Sequence, residues 1–136
     1  MAPKLDAFGI VVSDMARALD FYRRLGLEFP EGAESEPHVE AEVGGGVRYM
    51  IDTEDVMRAF DPEWTRPSDG HLVGGAFRCE SPEEVDRVYA DLVANGGSTY
   101  KEPWDAFWGQ RYAQLRDPDG TVIDLYAPLP DRGDVG

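Results

Sequence analysis

Trp104, Phe107 and Trp108 stand within one five-residue stretch, and Gln110, Tyr112 and Gln114 follow at alternate positions. Flat rings beside a row of amides and a phenol can stack on a planar organic molecule and orient it through hydrogen bonds. Each such ring pair contributes about 0.5–1.5 kcal/mol beyond simple burial. A second group of residues could do acid–base or metal chemistry. Asp52 and Asp124 close two apolar runs with the same Ile-Asp pair, and His38 is one of two histidines in the chain. Carboxylates and imidazoles move protons and hold divalent metals. Either group becomes a site only if the fold brings its members to one surface.

Periodicity supplies the elements that could do this. Residues 8–12 read as an apolar strand, and residues 13–25 as a helix with Met15, Ala18, Leu19, Tyr22 and Leu25 on one face and Gly26 closing it. Residues 38–43 and 47–52 form a hairpin around the glycines at 44–46. The same order then recurs. Residues 72–79 read as a strand. Ser81 caps a second helix, with Pro82 in its first turn and Glu84 completing a capping box. Val85, Val88, Tyr89, Leu92 and Val93 form its apolar face, and Asn-Gly-Gly at 95–97 ends it. Residues 108–115 and 121–126 make the last hairpin, where Pro118 presets φ and Asp119-Gly120 supplies the turn.

The unit is β-α-β-β-β, written over about 5–60 and again over about 71–130, with 61–70 as linker. The expected fold is α+β. It is a single domain over 1–136, built from tandem βαβββ modules whose sheets form a curved half-barrel cup with helices outside. Strand alternation puts Trp108, Gln110, Tyr112 and Gln114 on the inner face together with Val122, Asp124 and Tyr126. Ala113, Leu115, Ile123 and Leu125 then lie under the helices. Arg48, Met50 and Asp52 face inward from the first half, whereas the face shared by His38, Glu40 and Glu42 is left open. Trp104 and Phe107 suit a ligand contact or an apolar seam equally, and so does Trp64 in the linker.

Charge and composition narrow the function. The net charge of −14, from 27 acidic and 13 basic residues, opposes nucleic acid and anionic membranes. No apolar run approaches the ~18 residues of a membrane-spanning helix. The first residues, MAPKLDAFGIVV, lack the apolar core and cleavage site of a secretory signal, so a cytoplasmic location is expected. Cys79 is the only cysteine; it excludes an internal disulfide, and no base neighbours it in sequence. There is no glycine-rich phosphate loop between strand and helix, and no serine in a nucleophile elbow.

The phrases FGIVVSDMARALDFYRRLGLEF and DPDGTVIDLYAP resemble the vicinal oxygen chelate superfamily, which holds glyoxalases, ring-cleaving dioxygenases and bleomycin-resistance proteins. DPEW at 61–64, His38 within EPHVEAE, and PWDAFWGQRY at 103–112 resemble the mitomycin-binding resistance proteins within it. The resemblance implies the paired-module fold and a homodimer. It places the metal-ligand positions of the catalytic members at Ala7, Asp52, Gly74 and Asp124. Ala7 and Gly74 offer no ligating atom, and His71 lies three residues from the nearer position, so no metal and no cofactor are expected. The expected function is therefore non-catalytic sequestration of a planar, quinone-like or polycyclic antibiotic such as mitomycin, by Trp108 with Gln110, Tyr112, His38, Tyr126, Met50, Asp52, Trp104, Phe107 and Trp64. A metal-dependent lyase or dioxygenase is the alternative, as is a binder of bleomycin-type, enediyne or flavin ligands.

Overall fold

A computed structural model describes residues 5–67 and 75–130, which fall into two compact units divided after residue 68. The first unit runs β1 (Ala7–Val12), α1 (Met15–Arg24), a 3-10 turn (Ala33–Ser35), β2 (His38–Glu42), β3 (Arg48–Thr53) and α2 (Glu54–Phe60). Its sheet has the order β1-β3-β2, with β1 parallel and β2 antiparallel to β3.

Asp14 caps α1 by accepting from the Arg17 amide at 3.1 Å. At the other end the Leu27 amide reaches the Tyr22 carbonyl at 3.1 Å and the Gly26 amide the Arg23 carbonyl at 3.0 Å. This closing geometry needs the φ of +101° that Gly26 adopts. The apolar face of α1 buries Leu19, Phe21 and Tyr22 completely. Tyr22 meets the ring of Tyr49 at 5.4 Å, which identifies the odd-numbered face of β3 as the one under the helix. The β2–β3 hairpin turns through Gly44, Gly45 and Gly46, all with positive φ, a path that side-chain-bearing residues resist.

This module has three strands among its described residues, one fewer than the sequence suggests. Leu27 to Pro30 carries no ladder. Pro30 lacks an amide donor, and Arg23 ties the segment back to α1 by pairing with Glu34 and donating to the Pro30 carbonyl. The residues after β3 form α2, an element the periodicity does not announce. Thr53 caps it through the Val56 amide at 3.4 Å.

The second unit runs β4 (Ala76–Arg78), α3 (Pro82–Ala94), β5 (Ser98–Ala106), β6 (Gln110–Arg116) and β7 (Val122–Pro128), in sheet order β4-β7-β6-β5. Of the strand expected over 72–79, positions 72–74 lie outside the described residues, as do His71 and the ligand position Gly74. Ser81 caps α3 through the Glu84 amide at 3.1 Å. Glu84 reaches back to the Glu80 amide at 2.6 Å, one residue further than a standard capping box.

Val85, Leu92, Ala113, Leu115, Ile123 and Leu125 form the core between α3 and the sheet. Arg111 holds Asp86 of α3 at 3.0 and 3.2 Å, so the odd-numbered face of β6 is the helix face. β5 is an edge strand with two register shifts, which is where a sheet tolerates Pro103. Together β4 to β7 and α3 complete the βαβββ order in this half. No helix among the described residues is long and apolar enough to cross a membrane.

Candidate functional site

The β6–β7 hairpin arms one surface of the second unit. Antiparallel pairing sets Tyr112 opposite Tyr126 and Gln114 opposite Asp124. On that face, away from α3, the Tyr112 and Tyr126 rings stack at 6.2 Å with an interplanar angle of 26°. On β5, Trp104 sits opposite Tyr112 and meets its ring edge-on at 5.5 Å. Trp108 closes the group, at 5.4 Å from Tyr112 and 6.2 Å from Trp104.

Trp108 is not on β6, as alternation suggests. It lies in the three-residue turn from β5, where Gly109 takes a φ of +96°. The turn brings its indole to the same surface by another route, and 47% of the residue stays exposed. Phe107 stacks edge-on against Trp108 at 5.1 Å and is 94% exposed, so it packs no part of the described core. Lys101, which no sequence motif announces, sets its ammonium 5.3 Å above the Trp104 ring. The irregular pairing of β5 puts it there, and strand alternation carries no sign of it.

Asp124 is held from two sides. The Tyr112 hydroxyl donates to its Oδ2, and the Gln114 amide donates to its Oδ1 at 2.8 Å. Burial, and then the bond to the Asp124 carboxylate, push the Tyr112 phenol well above its ordinary pKa of 10, so it remains a neutral donor. Elsewhere in this unit, burial and the Glu84 charge push the Cys79 thiol up to about 11, which removes it as a nucleophile at neutral pH.

In the first unit the sheet face away from α1 carries a chain of charges. His38 pairs with Asp52 and Glu40 with Met50 across β2 and β3, which settles the face that the sequence left open. His38 Nδ1 lies 2.6 Å from Asp52 Oδ1, and its Nε2 lies 2.8 Å from Glu40 Oε2. Arg48 donates to Glu40 Oε1 at 2.8 Å and also pairs with Asp6. Asp6 has no motif to announce it; the parallel pairing of β1 with β3 brings it to Arg48. Trp64 lies in the same unit, half-buried, with the Arg58 guanidinium 5.5 Å from its ring.

His38 spends both ring nitrogens on carboxylates, so His38, Glu40 and Asp52 form a line rather than a converging claw. No group of three or more such side chains suited to a metal ion occurs among the described residues. Hydrogen bonding to Glu40, then to Asp52, raises the His38 pKa above 6.5, and the same contact with His38 lowers that of Glu40. A raised histidine contributes stability below about pH 6.5 and loses it as pH rises through its folded value. A lowered carboxylate contributes above about pH 4.5 and loses it as pH falls. His38→Gln should therefore lower Tm most between about pH 4.5 and 6.5 and least near pH 9. A Tm difference that grew toward alkaline pH would contradict this coupling.

The sequence pattern of the Glyoxalase/Bleomycin resistance protein/Dioxygenase superfamily matches residues 4–125. The chain belongs to this superfamily. A glyoxalase/bleomycin resistance protein/dioxygenase family enzyme from Burkholderia phytofirmans PsJN superposes with a TM-score of 0.78 at 19% identity, over 93% of this chain and 100% of that one. A glyoxalase/bleomycin resistance protein/dioxygenase from Nocardioides superposes with a TM-score of 0.70 at 25% identity, over 100% and 91% of the two chains. The uncharacterised YraH of Bacillus subtilis (strain 168) is 27% identical over 128 residues, covering 93% of this chain and 99% of its own. The two superposed structures share the α+β fold with this chain, and the side chains above are what indicate its chemistry.

Proposed function

We propose that this superfamily member is a non-catalytic binder that sequesters a planar, quinone-like or polycyclic natural product, with mitomycin as the leading example, and so confers resistance to it. The observation that carries this reading is the cluster of Trp104, Trp108, Tyr112 and Tyr126 on the sheet face opposite α3, bordered by the amides of Gln110 and Gln114. Half-buried rings with one exposed indole, set beside amides, favour stacking with orientation over bond-making. The protein acts in the cytoplasm as a homodimer under this reading, and it uses no cofactor. The near-complete exposure of Phe107 supports a role at the ligand or at a second copy of the chain.

The rival is a metal-dependent lyase or dioxygenase. The observation in its favour is that the fold gathers one imidazole, His38, and two carboxylates, Asp52 and Glu40, within hydrogen-bond reach on one sheet face. Incubation with mitomycin C, before and after chelator treatment and with added divalent cations, separates the two. The binding reading expects the compound to return unaltered by mass in every arm, with saturable binding that survives the chelator. Turnover that disappears with the chelator and returns with metal would establish the enzyme instead.

A further inference from the structure

The amide orientations along β6 define which hydrogen-bonding groups the aromatic surface offers. The Trp108 indole Nε1–H donates to Gln110 Oε1 at 2.7 Å. An indole nitrogen can only donate, so the oxygen of Gln110 must face it and the amide NH2 must point away. No partner takes that NH2 among the described residues. At the other end of the row the logic is reversed. An ionised carboxylate can only accept, so Gln114 gives its NH2 to Asp124 at 2.8 Å and leaves its own carbonyl oxygen uncommitted among the described residues. Tyr112, between them, spends its proton on Asp124 and keeps oxygen lone pairs. Gln110, Tyr112 and Gln114 lie at alternate positions on one strand face, so the donor and the acceptors are separated along the strand by the Tyr112 ring.

We propose that this row selects a planar ring system carrying a carbonyl acceptor at one end and an N–H or O–H donor at the other, with Gln110 as the residue that reads the carbonyl. The proposal rests on the binding reading above and gives it a polarity. The surrounding charges do not compete for this role. Asp124 has both oxygens engaged, Lys101 lies over the Trp104 ring, and Arg116 lies 4.7 Å over the Tyr100 ring. Trp108 thus has two functions: it presents a stacking face, and it locks the amide beside it.

Three flat tricyclic probes test this by fluorescence titration. Acridone carries a carbonyl and an N–H on opposite edges, N-methylacridone keeps only the acceptor, and carbazole keeps only the donor. The intact protein should bind acridone more tightly than either of the others. In Gln110→Glu a carboxylate still accepts from Trp108 but the NH2 is gone; Gln110→Met removes the amide without adding charge. In both variants the preference for acridone over carbazole should fall about tenfold, the loss expected for one hydrogen bond. Circular dichroism and an unchanged Tm establish that the variants are folded. Equal affinities for all three probes, unmoved by either substitution, would overturn the role of Gln110 and leave stacking intact. Failure of every probe to bind the intact protein would overturn the stacking surface and this inference with it.

Discussion

Replacing Trp108 with alanine should weaken binding of a flat ligand about thirtyfold while Tm moves little. The indole is 47% exposed and sits in a turn, so its removal opens no core cavity. What is lost is one stacking face, worth about 2 kcal/mol in comparable stacking on aromatic side chains, together with the bond that orients Gln110. Titration of mitomycin C into the intact protein and into Trp108→Ala, followed by calorimetry so that the signal does not depend on the missing fluorophore, reads the effect. Trp108→Phe should recover part of the affinity, because a ring returns without the N–H. Unchanged affinity in Trp108→Ala would remove this residue from the site.

The second large effect is on folding. Asp117 is 3% exposed and is the buried charged residue of the described chain. Its Oδ1 accepts from the Asp119 amide at 2.8 Å and the Thr121 amide at 2.9 Å. Its backbone also exchanges bonds across the turn with Thr121 and Gly120, at 2.8 and 2.9 Å. Asp117→Ala leaves two amides without their acceptor and should cost roughly 3 kcal/mol, within the span for hydrogen bonds to a charged group. Asp117→Asn, which keeps the accepting oxygen but not its charge, should cost about half as much. Because this turn sets the β6–β7 register that pairs Tyr112 with Tyr126, ligand affinity should fall in step with stability. Urea unfolding of the two variants checks the order, and an Asp117→Ala protein as stable as the parent would refute the role given to this carboxylate.

Local pattern carried most of the second unit. Ala113, Leu115, Ile123 and Leu125 alternate with Tyr112, Gln114, Asp124 and Tyr126, and two-residue periodicity sorts them onto the two faces found in the structure. Helix caps at Ser81 and ends at Gly26 and Asn95 were legible for the same reason: their signals lie within a few residues. Three features were not. β5 hides behind Pro103 and two register shifts, which erase alternation. Trp108 reads as the first residue of β6 because nothing in PWDAFWGQ marks the turn until Gly109 adopts its positive φ. The face of His38 depends on which strand lies opposite it, a long-range fact that became visible only with the pairing to Asp52. The Arg48–Asp6 pair, 42 residues apart, belongs to the same class.

The two carboxylates that suggested chemistry, Asp52 and Asp124, each have hydrogen-bonding partners within their own unit. Asp124 supports the aromatic surface by fixing Tyr112 and Gln114, and Asp52 supports His38. Substituting Asp124 would therefore act on ligand binding through Tyr112, whose hydroxyl would lose its acceptor.

Under the proposed function the aromatic face binds a planar compound stoichiometrically and without metal. Calorimetric titration of mitomycin C into chelator-treated protein, with riboflavin as a second planar probe, tests it most directly. Saturable binding of at least one of the two is expected without added metal, with tryptophan fluorescence quenched in parallel. No saturable binding of either compound by the metal-free protein, or binding that leaves tryptophan fluorescence unchanged, would contradict it.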